Sequence, residues 1–303
     1  MRWGLNACVE QFTFPAQRVI IRKNRRKKTM AYEDILYEVA DGVATITLNR
    51  PDRLNAWTGP MEASVKAAMR AASDDDAVKV IVVTGAGRGF CAGADMGNLD
   101  AISSSDGKAM REDREPPKPF DENAPIHFQK NYTYFPSVPK PIIGALNGPV
   151  AGMGLAIACF FDIRIASSDA VFSTAFARRG LIAEHGLSWI LPRLIGIGRA
   201  ADLLFSARRV ESDEADRIGL VDRVVPANEF RGEVAVYAKM LATEVSPRSL
   251  RHMKREIWRD QFLELGPAID AANADMVESL SSDDFKEGVA HFLEKRAPNF
   301  TGK

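Results

Sequence analysis

The sequence predicts an α/β fold with a helical C-terminal part. Two observations carry this. From residue 35 to about residue 226, β-rich apolar runs alternate with helix-period stretches. Beyond that point the strand signals stop and only amphipathic helical spacing continues. A chain of 303 residues, 46% hydrophobic and 26% charged, has an ordinary globular composition and needs no covalent staples. The three cysteines (Cys8, Cys91, Cys159) show no C-x-x-C spacing, and the four histidines are scattered, so neither a disulfide framework nor a metal site is expected. The longest apolar stretch, 149–161, stops at Asp162 and is too short to span a bilayer.

The elements follow in order. Residues 1–29 hold eight Lys or Arg against the single acid Glu10, whereas the remainder carries 32 basic and 39 acidic groups. This basic extension is left out of the fold: it reads either as a disordered arm or as sequence ahead of a working start at Met30. A mildly acidic body gives no electrostatic reason to expect DNA binding. Runs 35–39 and 43–48 flank Asp41-Gly42 and read as a hairpin. Residues 60–72 have helical spacing, and 78–84 suit a buried strand. Residues 98–124, charged, serine-rich and containing Pro116-Pro117, read as a mobile insertion or lid. A strand at 141–146, a glycine turn, an apolar helix through Phe161 and short strands at 163–166 and 170–172 come next. Helices are expected at 230–243, 249–265, 267–280 and 283–294. The resulting organisation is a core over 30–226 and a helical subdomain over 227–303.

Two glycine turns carry the chemistry. Gly89-Phe90-Cys91-Ala92-Gly93-Ala94-Asp95 follows one predicted buried strand. Asn147-Gly148-Pro149-Val150-Ala151-Gly152-Met153-Gly154 follows the next and opens a helix. Small residues let backbone N–H groups approach a ligand closely, and a helix start favours developing negative charge. Neither turn has phosphate-loop spacing.

In this order the turns resemble those of the crotonase (enoyl-CoA hydratase/isomerase) superfamily. Further matching pieces are Thr47-Leu48-Asn49-Arg50-Pro51 with Leu54-Asn55-Ala56, the Gly219-Leu220-Val221 step, Phe285-Lys286-Glu287-Gly288 and Phe292-Leu293-Glu294-Lys295-Arg296. The resemblance implies a spiral of ββα units with C-terminal helices that mediate oligomerisation. It implies an acyl-CoA thioester as substrate, with coenzyme A entering as part of that substrate and no permanently bound cofactor. The backbone N–H groups of Ala94 and Met153 would form the oxyanion hole. CoA would lie along Arg53, Leu54, Ala56 and the first turn, including Ala92 and Asp95, with Lys295 near the nucleotide from a neighbouring subunit. A homotrimer or dimer of trimers in the cytoplasm, or in the mitochondrial matrix or peroxisome of a eukaryote, is the family expectation.

The acid–base positions depart from the hydratase pattern. The two hydratase glutamates would fall on Ala156 and Phe176. One carboxylate reappears at Glu184 in Gly180-Leu181-Ile182-Ala183-Glu184-His185-Gly186, where single-carboxylate isomerases of the superfamily carry theirs. The favoured expectation is therefore an enoyl-CoA isomerase with Glu184 as proton shuttle and Phe176 as an apolar wall. The alternatives are a hydratase using Glu184 with or without His185, and a non-catalytic acyl-CoA- or RNA-binding member. His127 at the lid border is a weaker candidate, and Asp162 reads as a cap or turn former.

Overall fold

In the computed structural model, residues 32–104 and 118–303 are described. The basic extension at 1–29 and the central part of the 98–124 insertion lie outside them. The first hairpin is set by Asp41 and Gly42, whose φ values of 50° and 78° are those of a type I′ turn. It folds β1 (Ile35–Ala40) against β2 (Val43–Leu48) in antiparallel register from Ile35↔Leu48 to Ala40↔Val43. The chain then makes a single-residue bridge at Trp57 and enters α1 (Gly59–Asp74). Thr58 caps this helix by accepting from the Met61 N–H at 3.1 Å. Met61, Val65, Ala68, Met69 and Ala72 recur at helical spacing on its buried face.

The same sequence of events repeats. β3 (Val80–Gly85) pairs parallel with β2, and the chain bridges at Cys91 and Ala94 before α2 (Met96–Ser104). β4 (Ile142–Leu146) pairs parallel with β3 and leads through β5 (Val150–Ala151) into α3 (Met153–Ala158). β6 (Ile163–Ser167) and β7 (Val171–Ser173) are followed by α4 (Leu187–Ile195) and α5 (Ile197–Ser206). β8 (Val210–Glu211), α6 (Ser212–Ile218) and β9 (Arg223–Val225) finish the pattern.

The long strands form one sheet in the order β1-β2-β3-β4-β6-β9, and β5-β7-β8 form a second. The bridges Trp57↔Ala94 and Cys91↔Val150 extend the second layer toward the start of the chain. Each turn therefore contributes one strand to each layer and then a helix, which is the expected ββα spiral. β3 is buried on both faces. Ile81 and Val83 join the large core with α1 and α3, while Val80 and Val82 join a smaller core with α7 (Phe230–Thr243).

The remaining helices are α8 (Pro247–Arg259), α9 (Leu265–Leu280) and α10 (Asp283–Glu294). α8 is fixed to the sheet by Asp162. Its carboxylate accepts from the Ile142 N–H at 2.7 Å and Trp258 Nε1 at 2.8 Å, and lies 2.7 Å from buried Lys254 Nζ. Asp162 is thus a tether rather than a simple turn former.

Three expectations shift. The 98–124 insertion starts inside a helix, α2. The apolar helix expected through Phe161 stops at Ala158, because Phe160 and Phe161 donate three residues back and tighten the last turn. The helix expected from residue 249 begins at Pro247, with Ser246 as its cap, and gives way at 260–262 to a 3-10 turn.

Candidate active site

The two glycine turns meet. A side chain on Gly154 would place its Cβ 2.6 Å from the Cys91 carbonyl oxygen, so only glycine allows this approach. Gly93 adopts φ 102°, which turns the chain ahead of Ala94. The Trp57 bridge then orients Ala94. Trp57 donates to Gly93 O at 2.7 Å and accepts from the Asp95 N–H at 3.0 Å, so it engages the residues on either side. Met153 is the first residue of α3 and precedes the intrahelical bonds. Among the described residues, neither the Ala94 nor the Met153 N–H has a hydrogen-bond acceptor.

Both residues line one cleft, whose roughly 400 Å³ of empty space includes the open solvent at its mouth. Ala92, Phe176 and Glu184 share it, so the structure brings together five of the residues singled out from sequence. Glu184 is the one carboxylate among the described residues that line it, on walls of Leu99, Ala175 and Leu181. Burial raises the Glu184 carboxyl above its usual pKa. His185 Nε2 stands 3.4 Å from Glu184 Oε2. Burial outweighs that neighbour and holds the imidazole down to about 4, so His185 is neutral near pH 7. Its ring packs on Tyr132 with centroids 4.3 Å apart. Ala156 is fully buried in the core and does not line the cleft. His127 stacks on Phe262 instead of entering it.

The loop expected to carry CoA runs beside the first turn. Ala92 donates to Leu54 O at 2.9 Å, and Leu54 and Asn55 hold left-handed φ values of 48° and 55°. Asn55, which the sequence offers only as part of a matched tripeptide, clamps this loop. Its amide nitrogen donates to Ala86 O at 3.0 Å and Gly89 O at 2.8 Å, while its oxygen accepts from the Arg50 N–H at 2.8 Å. Arg53 is exposed and Ala56 half-buried along the same edge. Asp95 stands apart from the cleft lining. Its carboxylate receives Arg50 Nη1 at 2.9 Å and the Gly97 N–H at 3.0 Å, and Arg50 pulls its pKa below the usual carboxylate range. Lys295 is exposed at the end of α10 and does not line this chain's cleft. Sequence reading did not single out Leu99, Ala175 or Arg179, and took Leu181 only as part of the 180–186 segment, because an irregular cleft wall leaves no local periodicity.

A family model described as Enoyl-CoA hydratase/isomerase matches residues 38–303. A 1,2-epoxyphenylacetyl-CoA isomerase of Escherichia coli is 34% identical, covering 89% of this chain and 99% of its own. A crotonyl-CoA hydratase of Syntrophomonas wolfei is 33% identical, covering 90% of this chain and 100% of its own. Among solved structures, an enoyl-CoA hydratase from Bacillus anthracis superposes with a TM-score of 0.79 at 26% identity, over 89% of this chain and 100% of that one.

Proposed function

This chain belongs to the enoyl-CoA hydratase/isomerase family of acyl-CoA enzymes, and from that premise we propose that it is an enoyl-CoA isomerase with Glu184 as its single proton shuttle. The thioester oxygen sits between the Ala94 and Met153 N–H groups. Ionised Glu184 takes a proton from the α-carbon of a β,γ-enoyl thioester, and the charge moves to the thioester oxygen as a dienolate. The two amides stabilise that oxyanion, each worth about 3–4 kcal/mol of barrier. The protonated carboxyl then returns the proton at the γ-carbon, which leaves the α,β-enoyl product and regenerates the carboxylate. Phe176 and the other apolar walls keep water from the dienolate and raise the basicity of Glu184.

The observation that carries this reading is that one carboxylate, Glu184, shares the cleft with both free amides. The two hydratase carboxylate positions hold Ala156 and Phe176. A second reading, water addition by Glu184 with His185, draws on their 3.4 Å approach. Against it, a His185 held down to about 4 cannot deliver a proton as imidazolium near neutrality. Product analysis decides between the two. Incubation with a β,γ-enoyl-CoA should accumulate the α,β-enoyl-CoA, and a 3-hydroxyacyl-CoA as main product would overturn the isomerase reading.

The active assembly on this reading is a homo-oligomer, supported by the exposed apolar side chains of α9 and α10. Among the described residues no helix is long and apolar enough to cross a membrane.

A further inference from the structure

We propose that Arg179 makes this cleft selective for acyl groups that carry a carboxylate beyond the reacting carbons, so that its preferred substrates are CoA monothioesters of unsaturated dicarboxylic acids. This rests on the reading of the cleft as an acyl-CoA isomerase site and specifies its substrate class.

Arg179 ends the 3-10 turn Ala177–Arg179, between the cleft residues Phe176 and Leu181. The turn is closed by Gly180 at φ 69° and by the Leu181 N–H donating to Phe176 O at 3.1 Å. The backbone of Arg179 is therefore fixed, and its side chain is the adjustable part of that wall. Apart from Glu184, the other side chains lining the cleft are apolar.

The guanidinium is underused. Nη1 donates to Ala175 O at 3.2 Å, and among the described residues Arg179 has no carboxylate in ion-pair range. Arginines elsewhere in the chain show the contact it lacks, among them Arg50 with Asp95 at 2.9 Å, Arg164 with Asp222 at 3.0 Å and Arg208 with Glu214 at 2.6 Å. The adjacent Arg178 is turned away and donates to Ser206 O at 3.3 Å. Glu184 has His185 as its ion-pair neighbour, at 3.4 Å, and not Arg179.

A guanidinium without a carboxylate partner at the exposed rim of an otherwise apolar wall can hold a carboxylate through two parallel charge-assisted hydrogen bonds. A methyl-ended chain offers it nothing. The phosphates of CoA are a second source of oxyanion. They are expected along Arg53–Ala56, the edge bonded to the first glycine turn, whereas Arg179 belongs to the wall formed by Phe176, Leu181 and Glu184.

The test measures dissociation constants by calorimetry for the wild-type chain, Arg179→Gln and Arg179→Lys. Three ligands are used: CoA alone, and two saturated acyl-CoAs of equal length ending in a carboxylate or a methyl group. Arg179 is exposed, so both substitutions leave the fold intact. The wild type should bind the carboxylate-ended ligand about threefold to fivefold more tightly than the methyl-ended one, the range for an exposed charge pair. Arg179→Gln should abolish the difference, Arg179→Lys should keep part of it, and CoA alone should bind all three proteins equally. Equal binding of both acyl-CoAs by the wild type would overturn the proposal. So would a loss of CoA affinity in Arg179→Gln, which would give the guanidinium to a phosphate. Turnover of the matching β,γ-unsaturated pair separates the two readings. Binding selectivity without isomerisation keeps the assignment of Arg179 and removes the isomerase. Isomerisation without selectivity does the reverse.

Discussion

Glu184 and His185 are neighbours that burial drives in opposite directions. The carboxyl rises above its usual pKa and the imidazole falls to about 4. For catalysis, the rate should climb with pH as Glu184 ionises. The acid limb of kcat/KM should therefore lie above the ordinary glutamate value of 4.5. A pH profile checks this, and a limb at or below the ordinary value would remove Glu184 as the base.

For stability the histidine matters more. Between pH 6.5 and about 4 the unfolded chain binds a proton that folded His185 refuses. Its contribution is complete above pH 6.5 and is lost as pH falls toward 4, at most about 3 kcal/mol. His185→Asn tolerates the left-handed φ of 55° and removes the titration. Urea midpoints followed across that window should fall less steeply for the variant. At the proposed oxyanion site, Met153→Pro removes the N–H together with the methionine side chain, and proline is accommodated at the first position of a helix. Turnover should drop by about 100-fold or more while α3 persists. Glu184 and both amide positions were legible in the sequence through the family resemblance. Arg179, Leu99 and Ala175 were not, since nothing in the local sequence marks which neighbours of a site residue face the cleft.

Among the elements, α8 depends on one buried charge. Lys254 Nζ is 2.7 Å from Asp162 and 3.0 Å from the Lys140 carbonyl oxygen. Lys254→Met should cost about 3 kcal/mol by leaving the half-buried Asp162 without its cation. Urea unfolding at unchanged m-value measures the loss. A change within a few tenths of a kcal/mol would mean that apolar packing alone holds α8. Elements with strong local patterns were readable. β2, α7 and α10 occupy the spans expected from sequence, because each has a clean period and a turn or cap at its end. The strands β5 and β8 were missed because two residues are too few to show alternation. The helices α4 and α5 were not anticipated: Pro192 lies inside the first, and Gly196 separates the two.

For the whole molecule, sequence gave the alternation of strand and helix, but the strand order of the sheet and the second layer of short strands came from tertiary pairing. Single bridges at Trp57, Cys91 and Ala94 build that layer, and one bridged residue has no sequence period. The apolar faces left open by α9 and α10, including Val277, Leu280, Phe292 and Leu293, predict self-association. Three chains of 33.3 kDa should give about 100 kDa in light scattering, or twice that for a dimer of trimers. A monomer at micromolar concentration would contradict it. The most direct test of the central claim is single-turnover isomerisation of a β,γ-enoyl-CoA by wild type and Glu184→Gln, with CoA affinity measured in parallel. The account predicts that the variant loses roughly 100-fold or more in rate, with CoA binding unchanged. A variant that isomerises at the wild-type rate would show that Glu184 is not the proton shuttle.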